Sequence, residues 1–186
     1  QTLSPFVITH QFIASKQGEP INKLVYHDTT EDNSIICTAA GNSGEIRMWK
    51  LPSSSVNRNE VIIQTAQLSG VHSSPIVSLE TIVIKEKNIL FSASRDGAFA
   101  LWNLGNNGEL ITSHQCSDAN SGSPIPLTCA DVYNPSSFDH SVNDNNENDN
   151  VIFLGSQNGF VMGYVVQENK GVISFNPGPN LLFRAH

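Results

Sequence analysis

Positive charge is scarce in this chain. Ten lysines and arginines stand against seventeen aspartates and glutamates over 186 residues, a formal net charge of −7. The basic residues never cluster, and the nearest pair is Lys85 and Lys87. Without a basic patch there is nothing to release counterions from a phosphate backbone, so no nucleic-acid partner is expected. An anionic membrane surface repels such a chain on average. Long apolar runs are also missing. None approaches the ~20 residues a bilayer span needs, so no membrane insertion is expected. The first residue is Gln1, not Met, so the lack of a leader says little about targeting. Cysteine is limited to Cys37, Cys116 and Cys129, an odd number at spacings that fit no metal motif. Cys37 and Cys129 lie in apolar, strand-like runs. The expectation is buried free thiols in a reducing, intracellular compartment, cytoplasm or nucleus. Helical periodicity is absent from every ten-residue window, so almost no helix is expected.

Chemical motifs are equally sparse. There is no Gly-rich phosphate loop. Asp28, Glu31 and Asp32 do not form the Asp-x-Asp-x-Asp-Gly pattern of a calcium loop. His10, His27, His114, His140 and His186 include no pair at metal-ligand spacing. His72, Ser92 and Asp96 are the residue types of a hydrolase triad. Ser92, however, lies inside an apolar strand and not in the strained Gly-x-Ser-x-Gly elbow that exposes a nucleophile. No catalytic residue, metal or cofactor is expected.

What the chain does have is one cadence, heard three times. Gly44-Glu45-Ile46-Arg47-Met48-Trp49 recurs as Gly97-Ala98-Phe99-Ala100-Leu101-Trp102, and again as Gly159-Phe160-Val161-Met162-Gly163-Tyr164. Each glycine sits five residues before a large aromatic and follows an apolar run: Ile35 to Ala40, Ile89 to Ser94 and Val151 to Ser156. A strand, a glycine turn and a strand ending in an aromatic make a hairpin, and its recurrence signals a repeat architecture. The units fall at about 19–72, 73–120 and 121–186, after an outer strand within 1–18. Other strands are expected at Ile21 to His27, Val61 to Leu68, Ile76 to Ile84, Glu109 to Gln115, Leu127 to Tyr133 and, last, Leu181 to Ala185. A stretch rich in Asn, Asp and Ser, 136–150, interrupts the third unit. It holds too few apolar side chains to offset its ordering entropy and reads as a solvated insertion.

These repeats resemble the WD-repeat family of β-propellers. The second unit carries the match best, with His72 after Gly70-Val71, then Ser92, Asp96 and Trp102. The resemblance implies that His72, Ser92, Asp96 and Trp102 form one buried hydrogen-bonded network within a four-stranded blade. The first unit has Ala39 and Ser43 where Ser and Asp are expected, and the third has Leu154, Asn158 and Tyr164, so both are expected to lack the network. No repeat has Asp after its aromatic; Lys50, Asn103 and Val165 stand there.

The fold class expected is all-β, with about three antiparallel blades. Three are too few for a ring, since propellers have about 4–8 blades. Either the chain is a segment of a longer propeller, or copies assemble through their open blade faces. The function expected is a non-catalytic scaffold that binds other proteins. Its binding face comprises the turns at Asn42-Ser43, Arg95 and Gln157-Asn158 together with Ser73-Ser74. The alternative is an enzyme or small-molecule binder that uses a central channel, for which no convergent polar chemistry near the axis is visible.

Overall fold

The computed structural model describes residues 12–15, 19–28, 34–51, 62–134, 150–176 and 181–185. Among these residues the chain is all β, with one 3₁₀ turn at Leu104–Asn106. The first antiparallel sheet runs β1 (Ile21–His27), β2 (Ile35–Ala40), β3 (Ile46–Lys50) and β4 (Ile63–Leu68), each strand beside the next in sequence. The second repeats that order with β5 (Ile76–Ile84), β6 (Lys87–Ser94), β7 (Ala98–Asn103) and β8 (Glu109–Gln115). The third has β9 (Leu127–Tyr133), β10 (Asn150–Ser156) and β11 (Phe160–Asn169), and its outer edge is shared by β12 (Val172–Phe175) and β13 (Leu181–Arg184). The sheets stand side by side as blades, with β1 against β5 and β5 against β9, in an arc and not a closed ring.

One strand lay beyond the sequence reading. β11 runs on to Asn169, and the chain reverses at Lys170-Gly171, where both residues have positive φ (51° and 84°). β12 then pairs with the far half of β11, and β13 pairs with its near half. The outer strand expected within 1–18 lies outside the described residues except for 12–15, which are not in a strand. The insertion expected at 136–150 lies outside them too, apart from Asn150, which opens β10.

The second blade is buried on both faces. Ile89, Phe91, Phe99 and Leu101 pack with Leu127, Leu154 and Met162 of the third blade. Leu90, Ala100 and Trp102 pack with Cys37, Ile46 and Met48 of the first. All of these side chains are at most 4% exposed, and burying a large one contributes about 1.5–3 kcal/mol relative to exposure. A strand covered on both faces has no reason to alternate, so Ile89-Leu90-Phe91 and Ala98 to Trp102 read as unbroken apolar runs. Cys37 and Cys116 are buried thiols, and burial pushes them up to about 12 and about 11. Cys129 corrects the expectation from sequence. It is exposed, opposite Gly155 on the face of the third blade that no sheet covers.

Candidate functional site

The hydrogen-bonded set in the second blade assembles three of its four expected members. His72 Nε2 lies 2.7 Å from Ser92 Oγ, and the indole N–H of Trp102 donates to the same oxygen at 2.8 Å. β6 and β7 bring this about: Trp102 pairs with Leu90, and Ser92 stands two residues further along the same face. Asp96 is not bonded to the imidazole, whose Nδ1 is buried without a partner. Its carboxylate instead accepts from the Ser73 backbone N–H (2.5 Å), the Ser73 hydroxyl (2.9 Å) and the Ala98 N–H (2.9 Å). The reason is local. A turn carboxylate can satisfy the N–H two residues ahead, as that of Asp96 does for Ala98.

Electrostatics follow from this geometry. Burial lowers the His72 pKa to about 4, partly opposed by the charge of Asp96, so the imidazole is neutral. Burial also works against ionisation of Asp96. The hydrogen bonds from Ser73, Ala98 and Ser94 outweigh it and hold the carboxyl below its usual range. Ser92 is fully buried. A substrate cannot reach its hydroxyl, and the set holds β6, β7 and the entry to β5 together.

Above this set lie the hairpin turns, built alike in every blade. The N–H of the residue opening each turn donates to the carbonyl of the proline that precedes the blade's first strand: Gly41 to Pro20, Arg95 to Pro75 and Gln157 to Pro126, at 2.9–3.0 Å. The first two turns also abut the start of the next blade. A Cβ on Gly44 would lie 2.7 Å from the His72 backbone, and one on Gly97 would lie 2.7 Å from the Ile125 carbonyl oxygen. Both glycines have positive φ (71° and 91°), so no other residue suits either position. These contacts put the three turns on one side of the arc, as a continuous strip. Asn42, Ser43, Ser73, Arg95, Gln157 and Asn158 are exposed on it, and Ser74 is half-buried. The Ser74 carbonyl accepts from Ser94 Oγ at 3.0 Å. Among the described residues the Arg95 guanidinium has no hydrogen-bond or ion-pair partner.

Two features escaped the sequence. The first blade keeps part of the buried set, because the Trp49 indole N–H donates to Thr38 Oγ1 at 2.9 Å. The second lies along the inner strands. Glu80 is half-buried, and its pKa is raised by burial and by Asp131 of the neighbouring β9, while Ser78 and Lys23 pull it back down. No group of three His, Cys, Asp or Glu side chains placed to hold a metal occurs among the described residues. No helix there is long and apolar enough to cross a membrane.

No protein-family model matches this chain, and no curated protein matches it by sequence. Solved structures do match. The crystal structure of the Saccharomyces cerevisiae Sqt1 superposes with a TM-score of 0.59 at 17% identity, covering 93% of this chain and 41% of that one. The crystal structure of an active polycomb repressive complex 2 in the basal state contains a chain that superposes with a TM-score of 0.55 at 8% identity, over 83% of this chain and 29% of that one. Both likenesses are to WD-repeat propellers and establish that fold. The chain spans less than half the length of either.

Proposed function

We propose that this chain is the three-bladed part of a larger WD-type toroid and acts as a non-catalytic scaffold, binding a protein partner through the strip of hairpin turns. The observation that carries the reading is the way the strip is built. Asn42, Ser43, Ser73, Arg95, Gln157 and Asn158 are exposed on short turns whose backbones are pinned to proline carbonyls. Such side chains are presented to a partner with little further ordering entropy to lose. Arg95 supports it most directly, as an exposed cation whose guanidinium pairs with no described residue. The solved structures it superposes on share the propeller fold, which agrees with the reading.

The test is affinity capture with the wild-type chain and with a variant carrying Arg95→Glu, Asn42→Ala and Gln157→Ala together. Loss of partners that the wild type retains is the expected result. An unchanged set of partners removes this face as the binding surface.

A further inference from the structure

Arg95 and Asp96 are adjacent in the second hairpin turn, yet they do not pair. The Asp96 carboxylate is turned back into the blade, where Ser73 and Ala98 occupy it. The turn backbone is held from both ends. The Arg95 N–H donates to the Pro75 carbonyl at 3.0 Å, and the Gly97 N–H donates to the Ser94 carbonyl at 3.1 Å. The guanidinium is left exposed, without a partner among the described residues.

The acid beyond the turn is spent in the same way. The connection from β8 to β9 starts beside this turn, with the Cys116 N–H on the Gly97 carbonyl at 3.0 Å. There Asp118 accepts from the N–H groups of Asn120 (3.0 Å) and Ser121 (2.8 Å) and from the Ser121 hydroxyl (3.1 Å). Glu19 lies against Gly41, so the first turn carries negative charge at its edge. The third turn is neutral, with Gln157 and Asn158 exposed. Along the strip the charge is therefore uneven: an acid at the first turn, one unanswered cation at the second and neutral amides at the third.

This pattern selects the chemistry of a partner. A guanidinium presents a planar fork of N–H donors that fits a carboxylate with two parallel bonds. A phosphoryl group carries nearly two charges and is recognised by clusters of arginines, whereas the three hairpin turns hold Arg95 and no second cation. The whole chain carries −7, so its field opposes a polyacidic segment. One carboxylate in an otherwise neutral segment meets little of that opposition and keeps the contact with Arg95. Each side-chain amide of the third turn offers both donors and an acceptor, which is what a passing peptide unit needs.

We propose that the segment seated on the turns is neutral apart from one Asp or Glu, whose carboxylate docks on Arg95 while Gln157 and Asn158 pair with its backbone. The inference rests on the reading of the turns as a protein-binding face and names the chemistry of what they bind.

Selection from a displayed library of random peptides, with the 186-residue chain as bait, tests it. The chain should enrich peptides that carry one Asp or Glu and few other charges. For an enriched peptide, Arg95→Gln in the chain and replacement of the acid by its amide in the peptide should each weaken binding by about tenfold or more. The two changes together should cost little more than either alone. Arg95→Glu should recover binding when Lys replaces the acid in the peptide, a rescue that damage to the fold would not give. Enriched peptides that lack an acid, or that ignore Arg95 while losing affinity with Asn42→Ala and Gln157→Ala, overturn the carboxylate and leave the protein-binding face standing. Preference for phosphoserine over Asp at the same peptide position also overturns it. Enrichment of no peptide by the wild-type chain counts against both readings.

Discussion

The indole of Trp49 donates to the hydroxyl of Thr38 in the first blade as Trp102 does to Ser92 in the second. Eleven residues separate the first pair and ten the second. Counting back ten from Trp49 lands on Ala39, which is why the pair is invisible in the sequence. The strand register restores it: Thr38 and Ser92 both stand two residues beyond the aromatic's cross-strand partner, Ile36 or Leu90. The hairpin of the first blade is one residue longer. Thr38→Val, which keeps the shape and removes the acceptor, should cost about 1–3 kcal/mol by leaving a buried N–H unmet. Urea denaturation followed by tryptophan fluorescence measures it.

Asp96 is the anchor of the second turn and not a partner of the imidazole. Asp96→Ala should cost about 1–3 kcal/mol by freeing the Ser73 and Ala98 N–H groups. The discriminating comparison is His72 itself: in the double variant with His72→Gln, the cost of Asp96→Ala should persist almost in full. A cost that vanishes there would mean that Asp96 acts through the histidine.

His72 makes the fold sensitive to mild acid. Its pKa falls from about 6.5 unfolded to about 4 folded, so the unfolded chain binds the extra proton between those values. Stability is complete above about pH 6.5 and declines as pH falls toward 4, by about 2 kcal/mol between pH 7 and pH 5. Asp96 acts lower still. Its carboxyl is depressed in the fold, so its contribution is complete above the usual carboxylate pKa and is lost as pH falls through the folded value. Unfolding midpoints from pH 7 to pH 5 should slope for the wild type and be flatter for His72→Gln.

Gly97→Ala meets two obstacles at once, a φ of 91° and the Ile125 carbonyl 2.7 Å from the new Cβ. The expected cost is about 2 kcal/mol or more. Gly122→Ala, at φ 67° with nothing nearby, should cost less. Calorimetry on the two variants separates backbone strain from blade contact.

Most of the architecture is legible in the sequence, because a strand buried on both faces leaves an unbroken apolar run and each hairpin leaves a glycine. β5, β8 and β9 run as the sequence implied. β12 was not legible: four residues after a two-residue turn show no alternation long enough to notice. Pro20, Pro75 and Pro126 recur before each blade's first strand, but only the structure shows their carbonyls receiving each turn. The approach of Glu80 to Asp131 was also hidden, because the two are brought together by blade packing and not by spacing in the chain.

Hydrogen–deuterium exchange of the chain alone and with a captured partner bound reads out whether the hairpin turns bind a protein. Slowed exchange is expected at residues 41–44, 73–74, 95–97 and 157–159, with the strands between them unchanged. Protection confined to the inner strands around Glu80 and Asp131, with the turns exchanging as in the free chain, would contradict it and favour a ligand in the channel.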